Sequence, residues 1–227
     1  MGKPEFLELL AFHLGPLHIG ATVLTTWLLM ALLVGFVWFG TRRLSVDSPS
    51  RLQMALEGTV LALQQAIEDT APGNDARLLP FIGTLWLFIA AANLMGLVPG
   101  LRSPTGDLSL TVALAMLVFL SVHWFGIRID GLRAYLRHYL DPNPILLPFH
   151  LLGEVTRTLA LAVRLFGNMM SLEMAALLVL LVAGFLAPIP LLMLHIVEAL
   201  VQAYIFGTLA LVYVAGALQS HELNKKE

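Results

Sequence analysis

From Ile19 to Phe39 the chain runs for 21 residues without a charge. About 20 such residues are needed to cross the hydrocarbon core of a bilayer, and in hydrocarbon a lone segment satisfies its backbone only as a helix. Two more runs of this kind follow. One extends from Leu78 to Val98 and is closed by Pro99-Gly100. The other extends from Leu108 to about Ile127 and ends at Arg128. After Pro144 the chain stays apolar almost to its end, and Pro188 and Pro190 divide it into helices expected at about 145–186 and 189–219. The first of these is far longer than one crossing and has to tilt or kink. The expected fold class is therefore an all-α membrane protein with five crossings, the last two long and tilted, forming a single integral membrane domain over 1–227.

Composition agrees. Hydrophobic residues make up 58% and charged residues 12%, against about 45–50% and about 25% in soluble domains. No stretch is left for a separate soluble domain. A net charge of −2 gives no general pull toward nucleic acid, and no nucleic-acid partner is expected. Without cysteine the chain has no disulfide, thiolate metal site or cysteine nucleophile. The first ten residues lack a basic segment followed by an apolar one, so no cleaved signal peptide is expected.

Between the first two runs, Ser48 to Thr70 has Leu52, Ala55, Leu56, Thr59, Val60 and Leu63 at helical spacing, with Gln53, Glu57, Gln64 and Glu68 on other faces. This is an amphipathic helix, lying on the membrane surface or packed on the protein's own surface. Basic residues set the orientation. Arg42, Arg43, Arg51, Arg77, Arg128, Arg133, Arg137, Lys225 and Lys226 fall on one side, and Lys3 and Arg102 on the other. The first side is expected to be cytoplasmic, with the N-terminus outside and the C-terminus inside.

The remaining basic residues, Arg157 and Arg164, lie in the membrane-embedded region. An ionisable group there costs about 2.5–3.5 kcal/mol even on the lenient insertion scale, and by default marks function. His150, Glu154, Arg157, Arg164 and Asn168 step by four, three, seven and four residues, which places them along one helical seam with Leu161 between. The middle of this seam is expected to face protein, with Leu165 and Val163 turned about 100° away from Arg164. Glu154 and Arg157 are spaced to pair. Arg164 has no acidic residue three or four positions away, so its counter-charge is expected from another helix or chain. Glu173, nine residues beyond Arg164, points about 180° away from it. In the last helix His195, Glu198 and Gln202 form a second seam. Asn93 is a further candidate, although amides also cross-link membrane helices. The seven histidines have no metal-ligand spacing, and no phosphate-binding glycine loop or hydrolase motif is present. No metal, cofactor or ATP site is expected.

Arg164-Leu165-Phe166-Gly167-Asn168-Met169 resembles the signature of subunit a of the rotary F-type ATP synthase. Asn93-Leu94-Met95-Gly96-Leu97-Val98-Pro99, His195 and Gln202-Ala203-Tyr204-Ile205-Phe206 resemble other motifs of that family. The likeness runs from about residue 78 to the C-terminus and is most specific over 154–213. It implies a membrane stator subunit beside a ring of c subunits, together with the b-subunit peripheral stalk and the remaining synthase subunits, in a bacterial plasma (inner) membrane. It implies that Arg164 is the essential ion-coupling arginine. Glu173, His195, Asn168 and Gln202 match polar positions near that arginine or along the outer ion path, Asn93 a position near the same path, and Glu154 one toward the cytoplasmic path. Glu198 is not carried over from the family and stands on its place in the second seam alone. The translocated ion is H⁺ or Na⁺, and no cofactor is implied. Two positions depart from the pattern: Thr158 stands where many relatives have proline, and Met170, Ser171 and Leu172 stand where relatives have small residues.

Two other classes were weighed. An independent secondary transporter or channel often carries internal repeats, and this chain has none. A purely structural anchor leaves Arg164 and both polar seams unexplained.

Overall fold

The computed structural model describes residues 13–14, 17–18, 20–42, 44–45, 49–73, 75–98, 103–131, 147–183 and 189–224. Apart from a minimal antiparallel ladder pairing His13 with His18, the described secondary structure is helical. The helices are α1 (Ala21–Thr41), α2 (Arg51–Thr70), α3 (Asp75–Met95), α4 (Leu108–Asp130), α5 (Leu147–Ala183) and α6 (Ile189–Asn224), with a 3₁₀ turn at Pro104–Gly106. Five of them, all but α2, are long and apolar enough to cross a membrane. The protein is thus an all-α integral membrane protein. The expectations for Lys3, Ile19, Arg43, Ser48, Arg102, Arg133, Arg137, Pro188, Lys225 and Lys226, for the Pro99-Gly100 stop, and for residues 145–146 and 184–186 lie outside the described residues.

Boundaries move by a few residues where polar groups join a helix end. The second crossing begins at Asp75 rather than Leu78, because Asp75 and Arg77 are accommodated in the first turns. It stops at Met95, where Gly96, Leu97 and Val98 form a turn. Pro190 does not end a helix. It occupies the second position of α6, where its missing N–H costs nothing. At 37 residues α5 is about 55 Å long against a core of about 30 Å.

The core lies where α3, α4, α5 and α6 meet. Ile82, Trp86 and Ile89 from α3, Val118 from α4, Leu165 from α5 and Phe206 from α6 are buried there. The helices approach closely where α6 carries the small residues Ala199, Ala203 and Gly207 toward α3. Trp86 lies over Gly207, donates from Nε1 to the Tyr204 carbonyl at 3.1 Å, and stacks on the Tyr204 ring at 5.9 Å and 7°. By contrast α1 presents Trp27, Leu32, Val34, Phe36 and Phe39 outward, as a lipid-facing helix does. Two arginines at helix ends sit beside aromatic rings, Arg42 over Trp38 at 4.2 Å and Arg128 over Trp124 at 5.9 Å.

The amphipathic helix is α2, and it packs along α3. Leu63, Ala66 and Ile67 join the core against α3, while Met54, Val60 and Leu61 stay exposed. Ser50 caps it by accepting from the Gln53 backbone N–H at 3.1 Å. The buried Gln53 amide also brackets the backbone of Ser45, bonding both its N–H and its carbonyl at 3.1 Å, and so fixes the link from α1.

Asp107 caps α4 by accepting from the Ser109 N–H at 2.9 Å, and accepts from the Thr22 hydroxyl at 2.6 Å, which ties α1 to α4. Burial pushes its carboxyl up, but the bonds from Thr22 and Ser109 outweigh it and hold the group below its ordinary value of 3.8. A carboxyl whose folded value is depressed contributes stability above its unfolded value, and loses it as pH falls through the folded one. Asp107→Ala is expected to cost about 0.5–2 kcal/mol at neutral pH, as other lost caps do. The gap in thermal midpoint between variant and wild type should narrow on acidification below the unfolded value. A gap that is constant with pH would show that ionised Asp107 is not its source.

Candidate functional site

Polar groups inside the helices gather at two depths, one on each side of Arg164. The outer cluster, named for the side expected to face outward, is built by the end of α3, the 3₁₀ turn, the C-terminal half of α5 and the start of α6. Asn93 is fully buried. Its Nδ2 donates to the Ala199 carbonyl at 3.1 Å, and its Oδ1 accepts from the Thr105 hydroxyl at 2.6 Å. Ser103 Oγ donates to the Ala92 carbonyl at 2.9 Å and lies 2.6 Å from Thr105 Oγ1. The Ser103 N–H donates to Glu173 Oε1 at 3.3 Å, which brings the α5 carboxylate to this loop. A β-carbon on Gly106 would come within 3.3 Å of the same oxygen, so the missing side chain leaves room for Glu173. His195, itself buried, reaches the Asn93 carbonyl through Nε2 at 3.2 Å. Since a carbonyl only accepts, Nε2 carries a proton there.

One turn closer to Arg164, Asn168 Nδ2 donates to Gln202 Oε1 at 2.7 Å and couples α5 to α6. Gln202 is 2% exposed, and its Nε2 has no hydrogen-bond partner among the described residues. Glu198 is half-buried on α6, and the structure joins it to neither cluster by a hydrogen bond or ion pair among the described residues.

Arg164 is exposed on α5, and among the described residues it has no ion-pair partner. The open face around it differs from the expected seam. Leu161 and Leu165 are 2% and 0% exposed and belong to the core, while Val163 is 53% exposed. The expected seam groups Leu161 with Arg164 and turns Val163 about 100° away; the structure instead buries Leu161 in the core of this chain and leaves Val163 on the open side with Arg164. Arg164 sits at the edge between the packed face and an open face carrying Ala160, Val163, Ser171 and Met174. The physical reason is that periodicity ranks residues relative to one another but does not say on which side of a polar stripe the neighbouring helices stand.

The inner cluster joins α4, α5 and α6. His123 Nε2 lies 3.4 Å from Glu154 Oε2. The Arg157 guanidinium lies 4.6 Å over the Tyr213 ring. Glu154 and Arg157, spaced to pair with each other, each meet a group on another helix. His150 is exposed in the first turn of α5. No group of three or more His, Asp or Glu among the described residues is placed to hold a metal ion. Ser103, Thr105 and His123 were missed as site residues in the sequence. The two hydroxyls lie in a loop without periodicity, and His123 meets its partner only through the packing of α4 on α5.

Comparison with known proteins decides what these clusters belong to. The model of the ATP synthase A chain family matches residues 23–215. The chain belongs to the ATP synthase A chain family. It is 66% identical to ATP synthase subunit a 2 of Pelobacter propionicus, over 94% of this chain and 93% of that one. It is 64% identical to ATP synthase subunit a 1 of Hahella chejuensis, over 91% and 88%, and 54% identical to ATP synthase subunit a of Legionella pneumophila, over 100% and 98%. As a member of the A chain family it is a membrane-sector stator subunit of an F-type ATP synthase, serving ATP synthesis and ion transport from within that complex.

Proposed function

We propose that Arg164 is the group that couples ion flow to rotation, and that the two polar clusters line offset half-channels meeting at it. The single observation that carries this reading is the position of Arg164. It is an exposed guanidinium in a membrane-crossing helix, with about 15 Å of helix between it and Glu154 on one side and about 13 Å between it and Glu173 on the other. The outer path uses Glu173, Asn93, His195, Asn168 and Gln202, with Glu198 one turn from His195. The inner path uses Glu154. The N-terminus is outside and the C-terminus cytoplasmic, in a bacterial plasma membrane, and the partners are the c ring and the b-subunit stalk.

The mechanism follows from the cost of charge in lipid. A ring carboxylate stripped of its ion cannot face hydrocarbon, so the ring turns only where that charge is met. A guanidinium stays protonated and offers several donors, so it receives the bare carboxylate and repels a cation that would leak straight through. Ions loading from one half-channel and leaving by the other draw about 2.3 kcal/mol per charge per 100 mV of membrane potential. The ion is H⁺ or Na⁺.

Cross-linking tests the reading in this cysteine-free chain. With one cysteine beside the ring carboxylate, disulfides are expected from cysteines at Val163 and Ser171. They should be weak or absent from Leu161 and Leu165, which are buried in the core. Equal yields around the helix would remove the Arg164 face as the rotor contact.

A further inference from the structure

The inner cluster contains a group that no motif brings forward. His123 and Glu154 face each other across a groove of about 300 Å³, open mouth included, also lined by Arg157, Thr158 and Tyr213. His123 Nδ1 lies 2.9 Å from the Phe119 carbonyl, one turn back on its own helix. A carbonyl has no proton to give, so Nδ1 is the N–H nitrogen of the neutral ring. The other nitrogen, Nε2, is therefore a bare lone pair unless the ring takes a second proton. It lies 3.4 Å from Glu154 Oε2, an oxygen itself buried from solvent. A lone pair opposed to a carboxylate oxygen is repulsive, and one proton in the gap turns the contact into attraction, whichever atom holds it.

We propose that His123 and Glu154 jointly bind one exchangeable proton, and that this pair lies on the inner passage. The inference rests on the half-channel reading above and adds His123 to it. A proton from the cytoplasmic water enters the gap between Nε2 and Oε2 and takes the pair from a charge of minus one to zero; its departure restores the first state. No other bond is made or broken. Among the described residues, the charged and titratable groups lining the groove with the pair are Arg157 of α5, held over the Tyr213 ring of α6, and Tyr213 itself. On α4, Arg128 lies five residues further on, over Trp124. An ionisable pair at this depth is costly unless it is used.

ATP-driven proton uptake by the intact complex in inverted vesicles provides the test, because the bath then wets the cytoplasmic side. Bath pH is varied at fixed lumen pH, and then the reverse. For the wild type we expect a limb in the bath profile that His123→Gln and Glu154→Gln each remove. The double variant should behave as either single one, as for two halves of one site, and lumen profiles should be unchanged. Should His123→Gln fail to assemble, His123→Asn keeps an amide to bond the Phe119 carbonyl and must lose the same limb. A bath profile identical to wild type, or uptake lowered by one constant factor at every pH, overturns the proton-binding pair and leaves the half-channel reading in place. Uptake that survives in Arg164→Ala is the separate result that would remove the half-channel reading.

Discussion

Replacing Arg164 with alanine is expected to reduce ATP-driven ion uptake by about two orders of magnitude or more, down to the leak of the vesicles, while the complex still assembles. Both halves follow from its place in the structure. The side chain is exposed and has no ion-pair partner among the described residues, so truncation removes no core contact. What is lost is the counter-charge. An uncompensated charge at mid-membrane costs about 2.5–3.5 kcal/mol on the most lenient scale, and each 1.4 kcal/mol, roughly, slows a step tenfold. Lysine should restore little, because its compact charge lacks the planar fork that meets a carboxylate in many orientations. Near-normal uptake with alanine would leave the coupling mechanism without its central group.

The second large effect is on stability. At Gly207 a β-carbon would overlap the Trp86 ring, whose Nε1 is bonded to the Tyr204 carbonyl and whose face is stacked on Tyr204. Trp86 is 4% exposed and has no free direction in which to yield. Overpacking of a tight core costs about 1–3 kcal/mol. Gly207→Ala should fall at the upper end of that range and Gly207→Val beyond it, seen as loss of the subunit from membranes and a lower thermal midpoint of the purified complex. Trp86→Leu should be destabilising alone, yet should recover part of the loss when combined with Gly207→Ala, because it vacates the space the new methyl needs. Wild-type amounts of the Gly207→Val protein would mean that α3 and α6 do not need this close approach.

The crossings were legible because hydrocarbon imposes a length and a charge limit that few other segments meet. Ends were less so: α3 begins at Asp75, with the exposed Arg77 in its first turn, ahead of the apolar stretch that starts at Leu78. Within α5, spacing placed Glu154, Arg157, Arg164 and Asn168 on one side of the helix. It carried no information about the helices packed beside them, and Leu161, assigned to the same stripe as Arg164, lies in the core. His123 was invisible for a related reason. Its partner is 31 residues away in sequence, on a helix whose contact with α4 depends on the whole bundle.

The hydroxyls of Ser103 and Thr105 carry two hydrogens, yet three short contacts run through them: to the Ala92 carbonyl, to each other and to Asn93 Oδ1. The three cannot all be hydrogen bonds at once. Two hydrogens among three gaps have three arrangements that share the same heavy-atom positions, each leaving a different gap bare. The dipole of this loop can therefore reverse by rotating the two hydroxyls alone, without moving a helix.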